Sequence, residues 1–167
     1  MDTVIFMIVT GIGATLVGDL WGFARKPLLG TPAPDYALVG RWIGHMPRGI
    51  FRHAAIARAQ PVNRERALGW LVHYIIGIAF AGLLLAIGGR AWMEEPTPGL
   101  ALAVGIATVA APFCLMQPAM GAGFAASRTA KPNAARVHSL LMHAAFGLGL
   151  YLGARTAHLL LLPWTLD

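Results

Sequence analysis

Apolar positions in this chain fall into four long runs, at residues 3–24, 67–92, 99–127 and 134–162. Each is as long as the roughly 20 residues that a helix needs to cross a bilayer. Within the runs, small residues recur at helical spacing around single polar groups: Gly11, Thr15, Asp19 and Gly22; Gly69, His73, Gly77 and Ala81; Ser139, His143 and Gly147; and, if the helix holds there, Cys114, Gln117, Gly121 and Ala125. Small residues on one stripe mark the face that packs on another membrane helix. The pattern predicts a single all-α integral membrane domain over residues 1–167, a bundle of four transmembrane helices. No internal repeat is visible.

The ends and interruptions refine this. The first run meets Arg25, Lys26 and Pro27, where proline is expected to stop the helix. Its beginning has no basic stretch and Asp19 lies within it, which predicts a retained helix and not a cleaved signal peptide. The third run is longer than a straight span needs and holds Pro112 and Pro118. Each proline removes a backbone donor and crowds the preceding turn. In lipid such a segment survives only where protein or water satisfies the freed carbonyls, so a kink or break lined by the bundle is predicted here. The loop at 25–66 is punctuated by five prolines and mixes arginine with apolar groups. Asp35 is a plausible helix cap and Pro47 a plausible first helical residue, giving short helices at 35–45 and 47–59. They are expected at headgroup level with Arg41, Arg48 and Arg52 toward lipid phosphate. The competing reading is a solvated basic loop.

Charge sets an orientation. Of thirteen Lys and Arg, ten lie between runs one and two or between runs three and four and an eleventh, Arg136, at the start of run four, leaving Arg90 and Arg155 for the other side. Positive charge stays cytoplasmic, so both termini are expected outside. Trp21 and Trp70 would then mark the inner interface, Trp92 and Trp164 the outer one. With 57% hydrophobic and 12% charged residues and mean hydropathy +0.63, the chain is unlike a soluble domain. The net charge of +6 points to anionic headgroups of the lipid bilayer and not to nucleic acid. The single cysteine, Cys114, excludes an internal disulfide and any CxxC motif.

The candidate chemistry lies inside the spans. Asp19, His73, Gln117 and His143 fall at similar depth, in the predicted cytoplasmic half, each on the small-residue face of its helix. Ionisable groups in a span are costly, ~2.5–3.5 kcal/mol each on insertion scales. The set therefore reads as a ligand site for a small polar or cationic solute, bound or translocated. The bland alternative is a hydrogen-bonded lock, as in an accessory subunit of a larger membrane complex. A four-helix protomer is small for a transporter, so a homo-oligomer or a membrane partner is expected. Cys114, Met116 and Met120 offer soft ligands for a metal such as Cu(I), with His73 or His143 beside them. Methionine also fills gaps in kinked helices. His73 and His143 could instead hold a b-type haem, given room at Gly77 and Gly147. No GxSxG, HExxH or paired-carboxylate motif supports hydrolysis. His45, His53 and His158 read as interfacial.

Taken together, GIGATLVGDLW at 11–21, LVGRWIGHMPRGIFRH at 38–53, ERALGWLVHYIIGIAF at 65–80, APFCLMQPAMGAGFAASRT at 111–129 and HAAFGLGLYLGA at 143–154 resemble an uncharacterised bacterial family, domain of unknown function 2938. Its members are small multi-pass membrane proteins. The resemblance implies a bacterial inner-membrane location and four spans, and brings no activity or catalytic residue with it.

Overall fold

The computed structural model describes residues 2–161. The end of the fourth run at 162 and the expected anchor Trp164 lie outside the described residues. The described residues form helices and turns without a strand: α1 (Thr3–Leu29), α2 (Tyr36–His45), α3 (Glu65–Glu94), α4 (Pro98–Ala107), α5 (Gln117–Ala119) and α6 (Pro132–Leu161). Four stretches are long and apolar enough to cross a membrane: Thr3–Leu29, Glu65–Glu94, Pro98–Ala119 and Pro132–Leu161. The fold is all-α, as expected of a multi-pass membrane protein.

Local chemistry explains most boundaries. Asp2 opens α1, its carboxylate accepting from the amides of Val4 and Ile5. Asp35 opens α2 in the same way, accepting from Ala37 at 3.0 Å. Pro27 does not stop α1, contrary to expectation: the helix continues to Leu29. It ends at Gly30, whose φ of 65° lets its amide turn back to the Lys26 carbonyl. The predicted helix at 47–59 is also corrected. Only short 3₁₀ turns form, at Met46–Arg48 and Ile56–Arg58. Gly49 leaves the helical region with φ 75°. Beyond it the amides of His53 and Ile56 donate to the carbonyls of Ala119 and Met120, so this chain pairs with a distant segment instead of with itself.

Two helices depart from regularity. In α3, Gly89 adopts φ 65° and ψ −167°, a conformation that essentially only glycine tolerates. Along the third span, Pro112–Met116 forms one π turn, closed by the Gln117 amide on the Pro112 carbonyl. The widened register takes up the proline without the chain leaving right-handed helical dihedrals at Ala111, Met116 and Gln117. The helix ends at Ala119, short of the predicted 127, because Gly121 and Gly123 turn the chain with positive φ.

The chain divides into two compact units. The first comprises Met1–Pro32, Tyr74–Thr108 and Met142–Asp167; the second Ala33–His73 and Val109–Leu141. The first is a helix bundle around Phe6, Leu84, Val104, Phe146 and Leu150. Its helices meet at backbone distance. A Cβ on Gly11 would fall on the backbone of Ile78, one on Gly105 on that of Gly147, and one on Gly149 on that of Ala14. The second unit packs a smaller cluster of Trp42, Ile56 and Ala119, joined by Met116 and Met120. Its glycine contact is Gly40 against Gly69, where α2 lies across the start of α3.

Candidate functional site

The intramembrane polar groups divide between the two units. In the first, Asp19 is buried and its Oδ2 accepts from the Tyr74 hydroxyl at 3.2 Å. Thr15, one turn earlier, donates its hydroxyl to the Gly11 carbonyl at 2.8 Å, and that hydroxyl oxygen takes the space a Cβ on Gly77 would need. His143 of α6 reaches the end of α4. Its Nδ1 lies 2.9 Å from Thr108 Oγ1 and 3.3 Å from the Gly105 carbonyl. The Thr108 hydroxyl donates to that same carbonyl at 2.6 Å. The consistent assignment has His143 donating from Nδ1–H, which leaves Nε2 with the lone pair.

In the second unit, His73 stacks on Tyr36 with ring centroids 4.0 Å apart, and Trp70 stands edge-on to it. Gln117 donates from Nε2 to Ser139 Oγ at 3.4 Å, while its Oε1 is buried without a partner. Each predicted residue is thus placed on a helix contact and engages its own neighbours.

The soft-ligand trio is not presented together. Cys114 is exposed on the π turn, whereas Met116 and Met120 pack on Trp42, Ile56 and Ala119. Among the described residues no group of three His, Cys, Asp or Glu is arranged to hold a metal. The room expected over Gly77 and Gly147 for a haem is filled, by Thr15 in one case and by the backbone of Ala101 and Leu102 in the other.

Of the three arginines expected at lipid phosphate, Arg41 is committed inside the protein. It forms a two-point ion pair with Glu65, 2.9 Å and 2.7 Å, and its remaining nitrogen faces the carbonyls of Ile56, Ala57 and Ala59. The bond to Glu65 holds the Arg41 guanidinium above its ordinary pKa. Glu65 also accepts from the Val62 amide. Arg48 and Arg52 remain exposed. Beside them His45 bonds the Gln60 carbonyl through Nε2, and its ring meets His53 edge-on at 5.0 Å. Burial, then the neighbouring His45, pushes His53 below the ordinary histidine pKa.

Tyr74, Thr108 and Glu65 escaped the reading of the sequence. A tyrosine in an apolar span carries a hydroxyl that needs a partner, which was the available signal for Tyr74. Thr108 and Glu65 gave no periodic cue.

A family profile described as Protein of unknown function (DUF2938) matches residues 8–157. The chain belongs to this family. The match runs from within α1 through most of α6 and takes in Asp19, Arg41, Glu65, His73, Tyr74, Thr108, Gln117 and His143. No curated protein and no solved structure matches the chain.

Proposed function

We propose that this DUF2938 protein binds or translocates a small polar or cationic ligand across a bacterial inner membrane, with both termini periplasmic. The observation that carries the reading is Gln117. Its Oε1 is a buried acceptor without a donor, beside a π turn in a membrane span. Such groups persist where a ligand supplies the donor, and π turns recur at functional sites. Asp19 and His143 in the first unit and His73 in the second are further polar groups of the spans assigned to binding, each within its own unit, and the basic loops hold the cytoplasmic face.

The test is Gln117→Leu. The substitution removes the unpaired acceptor together with only the long 3.4 Å bond to Ser139, so its cost in stability should be small, and normal protein level separates loss of function from unfolding. In a deletion strain with a measurable phenotype, Gln117→Leu and Asp19→Asn should fail to rescue at normal protein level. Purified Gln117→Leu should lose the thermal shift that ammonium, guanidinium or a short diamine gives the native protein. Full rescue by both variants at normal level would overturn the proposal. A second reading, an accessory subunit whose polar groups lock helices, draws on the bonds Asp19–Tyr74, His143–Thr108 and Gln117–Ser139. A stoichiometric partner on gentle purification, with no ligand-induced shift, would favour it. An absorption spectrum and elemental analysis of the same preparation test the metal and haem readings.

A further inference from the structure

A cleft of about 540 Å³ opens in the second unit, lined by Arg52, His53, Ala54, Pro118, Gly123, Phe124, Ser127 and Arg128. Asp19, His73, Gln117 and His143 do not line it, whereas Arg52, expected from the sequence at lipid phosphate, does. The lining holds two guanidinium groups, an imidazole and a hydroxyl, and no carboxylate. Arg41, by contrast, meets Glu65. The ring atom His53 Nε2 is buried in the wall without a partner.

The walls are fixed by unusual backbone. The His53 and Ile56 amides bond to Ala119 and Met120, which ties one wall to the end of the third span. A Cβ at Gly121 would strike the Ala54 carbonyl, and one at Gly123 would strike Ser127 and Arg128. Gly121 and Gly123 both have positive φ, and so do Ala125 and Ala126, at 45° and 59°. Left-handed backbone is disfavoured for alanine and persists where the surroundings over-determine it. Arg136 supplies part of that hold, donating to the Ala125 carbonyl at 2.8 Å. The turn aims Ser127 and Arg128 at the same space as Arg52.

We infer that this cleft is a phosphate-binding site, in which Arg52 and Arg128 grip the anion, Ser127 donates through its hydroxyl and His53 supplies Nε2. Two arginine forks match the several oxygens of a phosphate better than the two of a carboxylate. The volume admits the group to which the phosphate is attached. A lipid headgroup and a free phosphate share this chemistry. Phe124 at the rim, 65% exposed, would lie along an acyl or glycerol moiety.

The full chain in a phosphate-free maltoside detergent is titrated calorimetrically with inorganic phosphate and, separately, with dihexanoyl phosphatidylglycerol. The native protein should bind at least one of them. Arg52→Gln/Arg128→Gln should weaken that binding about a hundredfold, at roughly tenfold for each charge-assisted grip. Arg90→Gln/Arg155→Gln removes the same charge from the other end of the sequence's charge pattern and should leave binding within a few-fold. Tighter binding of the lipid assigns the site to a headgroup, and tighter binding of the inorganic ion assigns it to a free phosphate. Binding of neither, or equal losses in the two double variants, overturns the site. Should the cleft variant fail to fold, Ser127→Cys in a Cys114→Ser background replaces it. Thiol labelling at that position should slow several-fold with phosphate or phosphatidylglycerol, and unchanged labelling with both overturns the proposal.

Discussion

The two units of this protein hold their helices by different means. In the first, backbones touch: Gly11 on Ile78, Gly105 on Gly147, Gly149 on Ala14, Gly153 on Thr10. Side-chain bonds there include Tyr74 to Asp19, Thr108 with His143, and His158 with the Met93 carbonyl. The second unit has one such helix contact, Gly40 on Gly69, and adds to it charge and amide–carbonyl pairing: Arg41 with Glu65 and three carbonyls, and His53 and Ile56 with Ala119 and Met120. The difference follows from solvent. Lipid tails are as apolar as leucine, so helices in lipid gain by close packing, which small residues permit. A basic segment rich in arginine and proline offers such a contact only where Gly40 meets Gly69, and elsewhere is ordered by satisfying its backbone groups.

The largest effect should come from breaking the first mechanism. Gly105→Ala places a methyl on the Gly147 backbone, where no side chain can yield. The loss should be about 3 kcal/mol, the upper end for overpacking, read as a fall in the unfolding midpoint in detergent. Gly99→Ala is the control. Nothing lies near its Cβ, and it sits in the first turn of α4. It should be neutral or slightly stabilising, since alanine is the better helix former. Equal losses at the two positions would mean that the bundle is not held by backbone approach.

Next is the charge lock of the second unit. Arg41 and Glu65 are mostly buried, with side chains 13% and 17% exposed. Removing one partner strands the other, so Arg41→Met or Glu65→Leu alone should cost about 3 kcal/mol. The double variant should cost clearly less than the two losses together, because it leaves no stranded charge. Additive losses in the double-mutant cycle would show that the pair is not a unit.

The contrast also explains how much could be read beforehand. The four spans and the small-residue faces were legible because a lipid-facing helix writes its period into the chain; Gly11, Gly77 and Gly147 do meet neighbouring helices. So was the cap at Asp35, a local bond over two residues. What failed was non-local. Pro27 looked like a stop, yet Gly30 sets the end. The segment 47–59 looked helical, but its amides are taken by carbonyls more than sixty residues on in the chain. Arg41 looked like a lipid ligand until Glu65 stood beside it. Asp19 and His143 could be picked out as polar groups within the spans, while their partners Tyr74 and Thr108 depend on the register in which helices pack. Periodicity fixes a face and leaves that register open.

The smallest effect separates the units most directly, because it uses one substitution in both. Ala154 and Ala126 are each almost fully buried, at 0% and 2% exposed. Ala154 lies in α6, where glycine loses about 1 kcal/mol of helix propensity and about 0.8 kcal/mol for the buried methyl. Ala154→Gly should therefore destabilise by about 2 kcal/mol. At Ala126 the same methyl is lost and glycine again adds freedom to the unfolded chain, roughly 0.5–1 kcal/mol. There the backbone is left-handed, φ 59°, and glycine relieves strain of about 1–2 kcal/mol. These terms nearly cancel, so Ala126→Gly should be close to neutral. The measurement is the difference between the two variants in one denaturation series. A gap of about 2 kcal/mol supports a second unit that carries strain where the bundle carries none. Equal losses would mean that the turn at 121–129 relaxes without penalty, and that the cleft beside it is not held in shape by its backbone.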